Sequence, residues 1–211
     1  MITLYHALLT AGMVDHWLLI ELGLPHELRM LDLGALEHKS PQYLALNPAG
    51  VVPTMVIDDG APISEAAAIA LHLAELSPAH RLVPPPGTPA RAQCYRWMFF
   101  LANTLMSAYR AWFYPTEPAG EANVEASKRG ARARIEAAWE QIAAHLESSG
   151  GPYMLGELSV VDFLTTMLMR WSRNMPRPSD SWPVLHAYAA RMKARPSWKE
   201  LCRREAMTDW L

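Results

Sequence analysis

The amino-acid sequence predicts an α/β domain followed by an all-helical domain, and three observations lead to this prediction. Short β-rich runs alternate with helical runs over residues 1–77, in the order β-α-β-α-β-β-α. Residues 78–89 contain five prolines and one glycine, and a helix cannot persist there because proline lacks the amide donor. Residues 90–211 show only helical patterns and helix breakers. We therefore predict two domains, over 1–77 and 90–211, joined by a linker over 78–89.

The elements of the first domain follow from hydrophobic spacing and from turn residues. In order, they are a strand over 2–5, a helix over 13–22, a strand over 27–33, a short helix over 40–46, strands over 52–57 and 61–64, and a helix over 66–76. Gly23 stops the first helix, and Asp58-Asp59-Gly60 is typical of a hairpin turn. A β-α-β beginning favours a parallel strand pair with a right-handed crossover, and the hairpin adds an antiparallel edge.

Helix breakers divide the second domain into a predicted helical bundle. Its helices cover residues 90–113, 122–148, 159–172, 184–194 and 197–204. Ser159 and Asp162 have the spacing of a capping box, in which the serine side chain bonds the amide three residues on and the carboxylate reaches back. This pair predicts the start of a helix and concerns folding rather than chemistry.

Composition and charge exclude several classes of function. The 211 residues are 51% hydrophobic and 19% charged, which is a globular composition. With 19 Lys and Arg against 21 Asp and Glu and no polybasic run, contact with nucleic acid is not expected. No apolar run approaches about 18 residues and no signal peptide is evident, so no membrane partner is expected. Cys94 and Cys202 lack metal-ligand spacing and favour a reducing, cytoplasmic location.

The segment 47–75 contains two features that converge on a small zwitterionic peptide. Val52-Pro53 lies where a loop enters a strand, and an X-Pro bond adopts the cis form at low cost. A cis bond would turn the Val52 amide and carbonyl outward, ready to pair with an extended peptide. Ser64-Glu65-Ala66 begins a helix, whose free amides suit a ligand carboxylate, while Glu65 can meet an ammonium group. The alternative is an ordinary strand, hairpin and helix with a capping serine.

The same segment resembles a known family. Asn47-Pro48-Ala49-Gly50-Val51-Val52-Pro53 is followed twelve residues later by Glu65, and then by Ala68-Ile69. This arrangement resembles the N-terminal domain of the cytosolic glutathione S-transferases, whose usual pattern is NPxGxVP followed by ESxAI. Further segments are similar to the same family, and they are Gly23-Leu24-Pro25, Glu37-His38-Lys39-Ser40-Pro41, Leu158-Ser159-x-x-Asp162 and Ala194-Arg195-Pro196-Ser197. The resemblance covers essentially the whole chain.

The resemblance implies a thioredoxin-like domain followed by an all-helical domain, with glutathione as co-substrate in the cleft between them. The residues that it implies for glutathione binding are His38, Lys39, Val51, Val52, Pro53, Glu65 and Ala66. The cysteine backbone of glutathione would pair with Val52, its γ-glutamyl end would face Glu65, and its glycine carboxylate would face His38 and Lys39. The implied reaction adds the glutathione thiolate to a small apolar electrophile without a metal, and a homodimer is expected.

One departure from the family pattern lies at the γ-glutamyl position. The family's serine in ESxAI is Ala66 here, so one hydroxyl hydrogen bond is lost while the backbone amide remains. A hydrogen bond to a charged group contributes about 1.5–3 kcal/mol, which corresponds to roughly tenfold to over a hundredfold in affinity. This loss favours an alternative function, a non-catalytic protein of the same fold that binds ligands or other proteins.

A second departure lies in the loop that carries the catalytic side chain of the family. This loop reads His6-Ala7-Leu8-Leu9-Thr10-Ala11-Gly12-Met13, and Thr10 has its only hydroxyl. Thr10 and Tyr5 are therefore the candidate catalytic residues, and the alternative for Thr10 is a helix N-cap. The helix that begins near Gly12 offers amides and a favourable dipole to a thiolate, which permits weaker activation without a strong side-chain donor.

The long helix over 90–113 supplies candidates for a second-substrate pocket. Met106, Tyr109 and Phe113 fall about one helical turn apart on one face. Their apolar and aromatic character suits an apolar electrophile. The alternative is that this stripe belongs to the core or to a subunit interface.

Overall fold

The computed structural model of the chain describes residues 1–58 and 60–211. Its four strands are β1 (Ile2–His6), β2 (His26–Met30), β3 (Thr54–Ile57) and β4 (Ile63–Ser64), and they form one sheet in the order β2-β1-β3-β4. β1 and β2 are parallel, whereas β1 with β3 and β3 with β4 are antiparallel. The predicted parallel pair and antiparallel edge are thus confirmed. Asp59, in the predicted hairpin turn, lies outside the described residues.

The helices follow the predicted order. They are α1 (Met13–Glu21), α2 (Pro41–Leu44), α3 (Ala66–Leu76), α4 (Pro89–Phe99), a π-helix (Phe100–Met106), α5 (Ser107–Phe113), α6 (Thr116–Ala119), α7 (Val124–Ser149), α8 (Val160–Trp171), α9 (Pro183–Lys193) and α10 (Pro196–Arg204). None of the described helices is both long and apolar enough to cross a membrane.

The chain divides into two compact units. The first contains residues 1–83 together with residues 193–211, and the second contains residues 84–192. The predicted boundaries of 1–77, 78–89 and 90–211 differ from these units mainly because they assign residues 193–211 to the helical domain.

The core of the first unit lies between one face of the sheet and the helices α1 and α3. Its fully buried side chains include Leu4, Met55, Leu18, Ile69 and Leu73. The segment 193–211 adds to this core, because the Trp17 indole donates a hydrogen bond to Ser197 Oγ at 2.9 Å and packs against Trp198. Since the indole of Trp17 is fully buried in this arrangement, the C-terminal segment completes the unit.

The second unit is all-helical. α4, the π-helix and α5 follow one another without a break, which confirms the long helix expected over 90–113. The capping box at the start of α8 is present, with Asp162 Oδ2 accepting the Ser159 amide at 2.8 Å. The predicted thioredoxin-like domain and helical-bundle domain are therefore the observed fold.

Candidate functional site

The loop that enters β3 presents an unpaired backbone segment. The Val52–Pro53 peptide bond is cis. The preceding carbonyl, of Val51, accepts hydrogen bonds from Tyr43 Oη at 2.6 Å and from Asn47 Nδ2 at 2.8 Å, so the loop is held from one side. Within residues 1–58 and 60–211, the amide and the carbonyl of Val52 have no hydrogen-bond partner. Val52 is half-buried and can therefore pair with an extended ligand.

The N-terminus of α3 lies beside this loop, because β4 pairs with β3 through Thr54 and Ser64. Glu65 is the N-cap residue, is exposed and has a φ of 72°, and no side chain caps the helix. The alternative of a capping serine is therefore wrong. A positive φ at a residue other than glycine costs of order 1–3 kcal/mol and is often found at functional sites.

Two backbone donors at this helix end remain open. Ala66 is 5% exposed, and its amide and that of Ala67 have no acceptor among the described residues. Free amides at a helix N-terminus form a site for an anion such as a carboxylate.

His38 and Lys39 lie on a single 3₁₀ turn, Glu37–Lys39. The Lys39 ammonium donates to the Gly50 carbonyl at 2.7 Å, which places it next to the loop that contains Val51 and Val52. Gly50 has a φ of +58°, in the left-handed region that favours glycine, and a Cβ there would lie 2.9 Å from Lys39 Nζ and displace the ammonium group. His38 is half-buried, and its Nδ1 atom has no hydrogen-bond partner among the described residues.

The loop between β1 and α1 carries Thr10. Its hydroxyl donates to the Ala7 carbonyl at 2.6 Å, so its one proton is already used within the loop. The N-cap residue of α1 is Gly12, without a side-chain cap, and the interpretation of Thr10 as the N-cap is therefore wrong. The amides of Ala11 and Gly12 have no acceptor in the part of the chain that the structure describes.

Gly12 joins this loop to the loop around Val52. A Cβ on Gly12 would lie 3.0 Å from the Pro53 Cβ and 2.5 Å from His6 Nδ1. A larger residue would separate these groups. The start of α1 and the cis-proline loop are therefore in direct contact at Gly12 and Pro53.

Tyr5 lies elsewhere. It precedes His6 in β1, and successive side chains of a strand point to opposite faces of the sheet. The His6 ring packs against His16 of α1, with 5.9 Å between ring centroids. The Tyr5 ring instead packs against Tyr43 of α2, also with 5.9 Å between centroids. The structure does not bring Tyr5 to the N-terminus of α1.

A buried polar cluster beside the loop was not found by sequence reasoning. Glu205 Oε1 accepts hydrogen bonds from His6 Nε2 at 2.7 Å and from His16 Nδ1 at 2.6 Å, and Glu205 Oε2 accepts the Leu9 amide at 2.8 Å. His6, His16 and Glu205 have fully buried side chains and are the one group among the described residues that could hold a metal ion. Glu205 is 199 residues from His6, so no local sequence signal reveals the cluster.

The electrostatics of Glu205 follow from these partners. Burial raises the pKa of a carboxyl, but the hydrogen bonds from His16 and His6 outweigh burial and hold the pKa of Glu205 at about 2. The carboxylate is therefore charged near neutral pH. The sequence-based expectation that no metal is used remains a prediction.

The candidates for the second-substrate pocket are in the helical unit and differ in accessibility. Tyr109 is fully buried, accepts a hydrogen bond from Trp139 Nε1 at 3.0 Å, and has a pKa that burial raises. Phe113 stacks on Tyr109 at 5.9 Å and is 48% exposed, and Met106 is half-buried. The Tyr109 ring thus lies in the core, while Phe113 and Met106 retain accessible surface.

Comparisons with known proteins agree with this architecture. Residues 16–76 match the family model of the glutathione S-transferase N-terminal domain. Glutathione S-transferase GST-4.5 of Xanthomonas campestris pv. campestris is 30% identical over 185 residues, which are 87% of this chain and 88% of the relative. A glutathione transferase from Methylococcus capsulatus is 30% identical with a TM-score of 0.86, over 98% of this chain and 100% of that chain. A glutathione transferase homolog from Sulfitobacter, solved with bound glutathione, is 25% identical with a TM-score of 0.87, over 97% and 98% of the two chains.

The fold and these relatives define a class of transferases in which a thioredoxin-like domain precedes an all-helical domain. Identity of 30% over most of both chains is the observation that extends this class to the present protein. The chain belongs to the glutathione S-transferase family.

Proposed function

We propose that this protein binds glutathione along the Val52 backbone and transfers its thiolate to a small apolar electrophile. The observation that carries the proposal is the position of the unpaired Val52 amide and carbonyl. Pro53 contacts Gly12 at the start of α1, and Thr54 pairs with Ser64 just before α3. A short peptide along Val52 would therefore reach open amides at two helix N-termini.

Each end of glutathione has a partner of suitable charge. The γ-glutamyl carboxylate accepts hydrogen bonds from the backbone amides of Ala66 and Ala67. The ammonium group of the same γ-glutamyl residue forms an ion pair with the exposed carboxylate of Glu65. The glycine carboxylate attracts Lys39 away from the Gly50 carbonyl, with His38 as a second donor. Val51 and Pro53 flank the central pairing with Val52. This assignment extends to the present chain what the Sulfitobacter relative binds.

The chemistry requires the thiolate of glutathione. The amides of Ala11 and Gly12 and the dipole of α1 lower the pKa of the thiol, and the Thr10 hydroxyl contributes when it turns from the Ala7 carbonyl. The thiol proton passes to solvent. The sulfur then forms a bond to an electrophilic carbon. In a substitution the leaving group departs with the electron pair of the broken bond, and in an addition the displaced π electrons form a carbanion that takes a proton from solvent. Within the helical unit, Met106 and Phe113 retain exposed surface for an apolar electrophile, whereas Tyr109 is fully buried.

Calorimetric titration with reduced glutathione tests the binding site. We expect binding in the micromolar to low-millimolar range, at least about tenfold weaker for Glu65→Ala because a charged contact is lost. Glu125→Ala, an exposed carboxylate of α7, is the matched control and should bind as the unaltered protein does. Ala66→Ser should bind about tenfold tighter or more, since it adds a hydrogen bond to a charged group.

Two results would contradict this assignment. If Ala66→Ser leaves binding unchanged or weakens it, the γ-glutamyl pocket is not at α3. If titration with glutathione up to several millimolar gives no heat of binding, the site does not bind this peptide.

A second candidate function is binding of ligands or proteins without transfer. It is favoured by the Thr10 hydroxyl, whose proton is already donated to the Ala7 carbonyl. Turnover of a chlorinated or unsaturated apolar electrophile by the unaltered protein would decide against it. Thr10→Ala then separates the two sources of activation: unchanged turnover would assign activation of the thiol to the amides at the start of α1 without the Thr10 hydroxyl. The homodimer and the cytoplasmic location remain predictions.

A further inference from the structure

We propose that Glu205 is a positioning residue for the transfer reaction. Its carboxylate, between the His6 and His16 imidazoles, holds the loop 7–12 in the shape that presents the first amides of α1 to the sulfur. The inference rests on the proposed function, because it assigns the support of the same site to a residue from the C-terminal segment of the first unit.

The first observation is that the carboxylate is fully engaged. A charged carboxylate only accepts hydrogen bonds, so His6 Nε2, His16 Nδ1 and the Leu9 amide all act as donors to it, at 2.7, 2.6 and 2.8 Å. All three side chains of the cluster are fully buried. Hydrogen bonds to a buried charge are short and strong, so this cluster is a rigid anchor.

The second observation is the backbone that the anchor holds. Leu9 has a φ of 62°, in the left-handed region that leucine rarely adopts. Its amide is satisfied in this conformation by Glu205 Oε2. Without that acceptor, the loop would lose the contact that offsets the unfavourable conformation of Leu9.

The third observation connects the anchor to the start of α1. The His6 ring lies against Gly12, where a Cβ would be only 2.5 Å from Nδ1, and Gly12 in turn contacts Pro53. Glu205 thus holds the middle of the loop through the Leu9 amide and its last residue, Gly12, through the His6 ring. A shift of the carboxylate would displace the Ala11 and Gly12 amides relative to the Val52 backbone.

Glu205→Gln tests this role with little change in volume. A glutamine is uncharged and offers one oxygen acceptor. If that oxygen accepts the hydrogen bond from the Leu9 amide, its NH₂ group faces the imidazoles, which must change tautomer to accept and then place an N–H on His6 Nδ1 or His16 Nε2, atoms that have no hydrogen-bond partner among the described residues. We expect the pKa of the bound glutathione thiol to rise and kcat at neutral pH to fall about tenfold or more. The KM for glutathione should change much less, because Val52, Glu65 and Lys39 are untouched.

Ultraviolet absorbance of the bound thiolate, followed against pH, measures the thiol pKa directly, alongside kcat and KM. Glu200→Gln is the matched control, since that carboxylate pairs with Arg203 and Arg204 on α10 and should leave all three quantities unchanged. Thermal unfolding reports whether each variant is folded.

Variants of His16 separate hydrogen bonding from other roles. An asparagine places an N–H donor close to the position of Nδ1, so His16→Asn should retain most of kcat and the low thiol pKa, whereas His16→Ala should lose both. This pair also keeps the inference testable if Glu205→Gln fails to fold.

Three results would overturn the inference. A normal thiolate signal in Glu205→Gln, with activity reduced only in proportion to folded protein, would mean that the cluster is structural. Binding of Zn²⁺ to the unaltered protein, with activity lost equally in His16→Asn and His16→Ala, would mean that it is a metal centre. Absence of a thiolate signal in the unaltered protein would contradict both the proposed function and this inference. A thiolate signal that is the same in the unaltered protein and in Glu205→Gln would contradict this inference alone.

Discussion

Asp15 is a buried carboxyl group without a hydrogen-bond partner in the described part of the chain. It lies in the first turn of α1 with an exposed fraction of 0%, and neither of its oxygens has a hydrogen-bond partner among the described residues. Burial raises the pKa of Asp15 well above its usual range. A neutral carboxyl is also compatible with the proposed anion site at the N-terminus of α1, because it adds no negative charge there.

Replacing Asp15 with asparagine should change how stability depends on pH. The folded protein keeps a proton that the unfolded chain releases above about pH 4, so the free energy of unfolding falls as pH rises until the folded-state pKa is passed. Asp15→Asn removes this titration. Its stability should match that of the unaltered protein near pH 4 and exceed it at higher pH, by up to about 1.4 kcal/mol per pH unit.

Denaturant unfolding of both proteins at about pH 4 and about pH 8 measures this difference. Glu147→Gln, an exposed carboxylate of α7, is the control and should show no such divergence. An equal stability difference at the two pH values would show that Asp15 is ionised in the folded protein.

At the scale of elements, α8 depends on a buried carboxylate at its first turn. Asp162 accepts the Ser159 amide at 2.8 Å, the Met154 amide at 2.9 Å and the Tyr188 hydroxyl at 2.8 Å. Burial raises the pKa of Asp162 even though these hydrogen bonds lower it. One side chain thereby joins the start of α8, the preceding turn and α9.

Asp162→Ala should destabilise the helical unit strongly. Four buried donors lose their acceptor, since the Ser159 hydroxyl also donates to Asp162 Oδ2 at 2.9 Å. Each unsatisfied donor costs about 1–3 kcal/mol, so we expect a loss of about 3 kcal/mol or more. Chemical denaturation measures it, with Asp180→Ala in the connection between α8 and α9 as the control. A loss of less than about 1 kcal/mol would mean that water satisfies these donors in the variant.

The elements were predicted well wherever local spacing determines them. The helix over 66–76 was predicted with the bounds of α3, and the Ser159–Asp162 spacing located the start of α8. β2 ends at Met30, although the pattern continued to residue 33, because pairing with β1 ends at His6. The π-helix Phe100–Met106 could not be predicted from the spacing of apolar residues. A π-helix has about one more residue per turn than an α-helix, and in a mostly apolar segment this small change of period does not alter the hydrophobic pattern.

At the scale of the whole chain, the first unit combines residues from both ends of the chain. Residues 193–211 pack with residues 1–83, where Arg195 and Ser197 bond Glu21 and where Trp198 contacts Trp17 with 4.8 Å between ring centroids. The thioredoxin-like unit therefore requires the last residues of the chain for its own core.

Trp198→Ala should lower the stability of this unit. The side chain is 1% exposed, and truncation of a buried aromatic residue costs about 3–5 kcal/mol. Thermal and chemical unfolding measure the effect. Leu211→Ala, at a residue that is 63% exposed in the same segment, should change stability by less than about 0.5 kcal/mol. Equal stability of the two variants would mean that the C-terminal segment does not support the core around Trp17.

The sequence alone determined the order of elements, the mixed sheet and the family, and it predicted Val52-Pro53, Glu65 and Ala66 as candidate binding residues. These features depend on spacing over a few residues, where backbone propensity and hydrophobic periodicity act. The tertiary structure decided which distant side chains meet. It placed Glu205 between His6 and His16, across separations of 199 and 189 residues, turned Tyr5 away from α1 and buried Tyr109. Such contacts follow from how whole faces of helices and sheet pack, so no short stretch of sequence contains them.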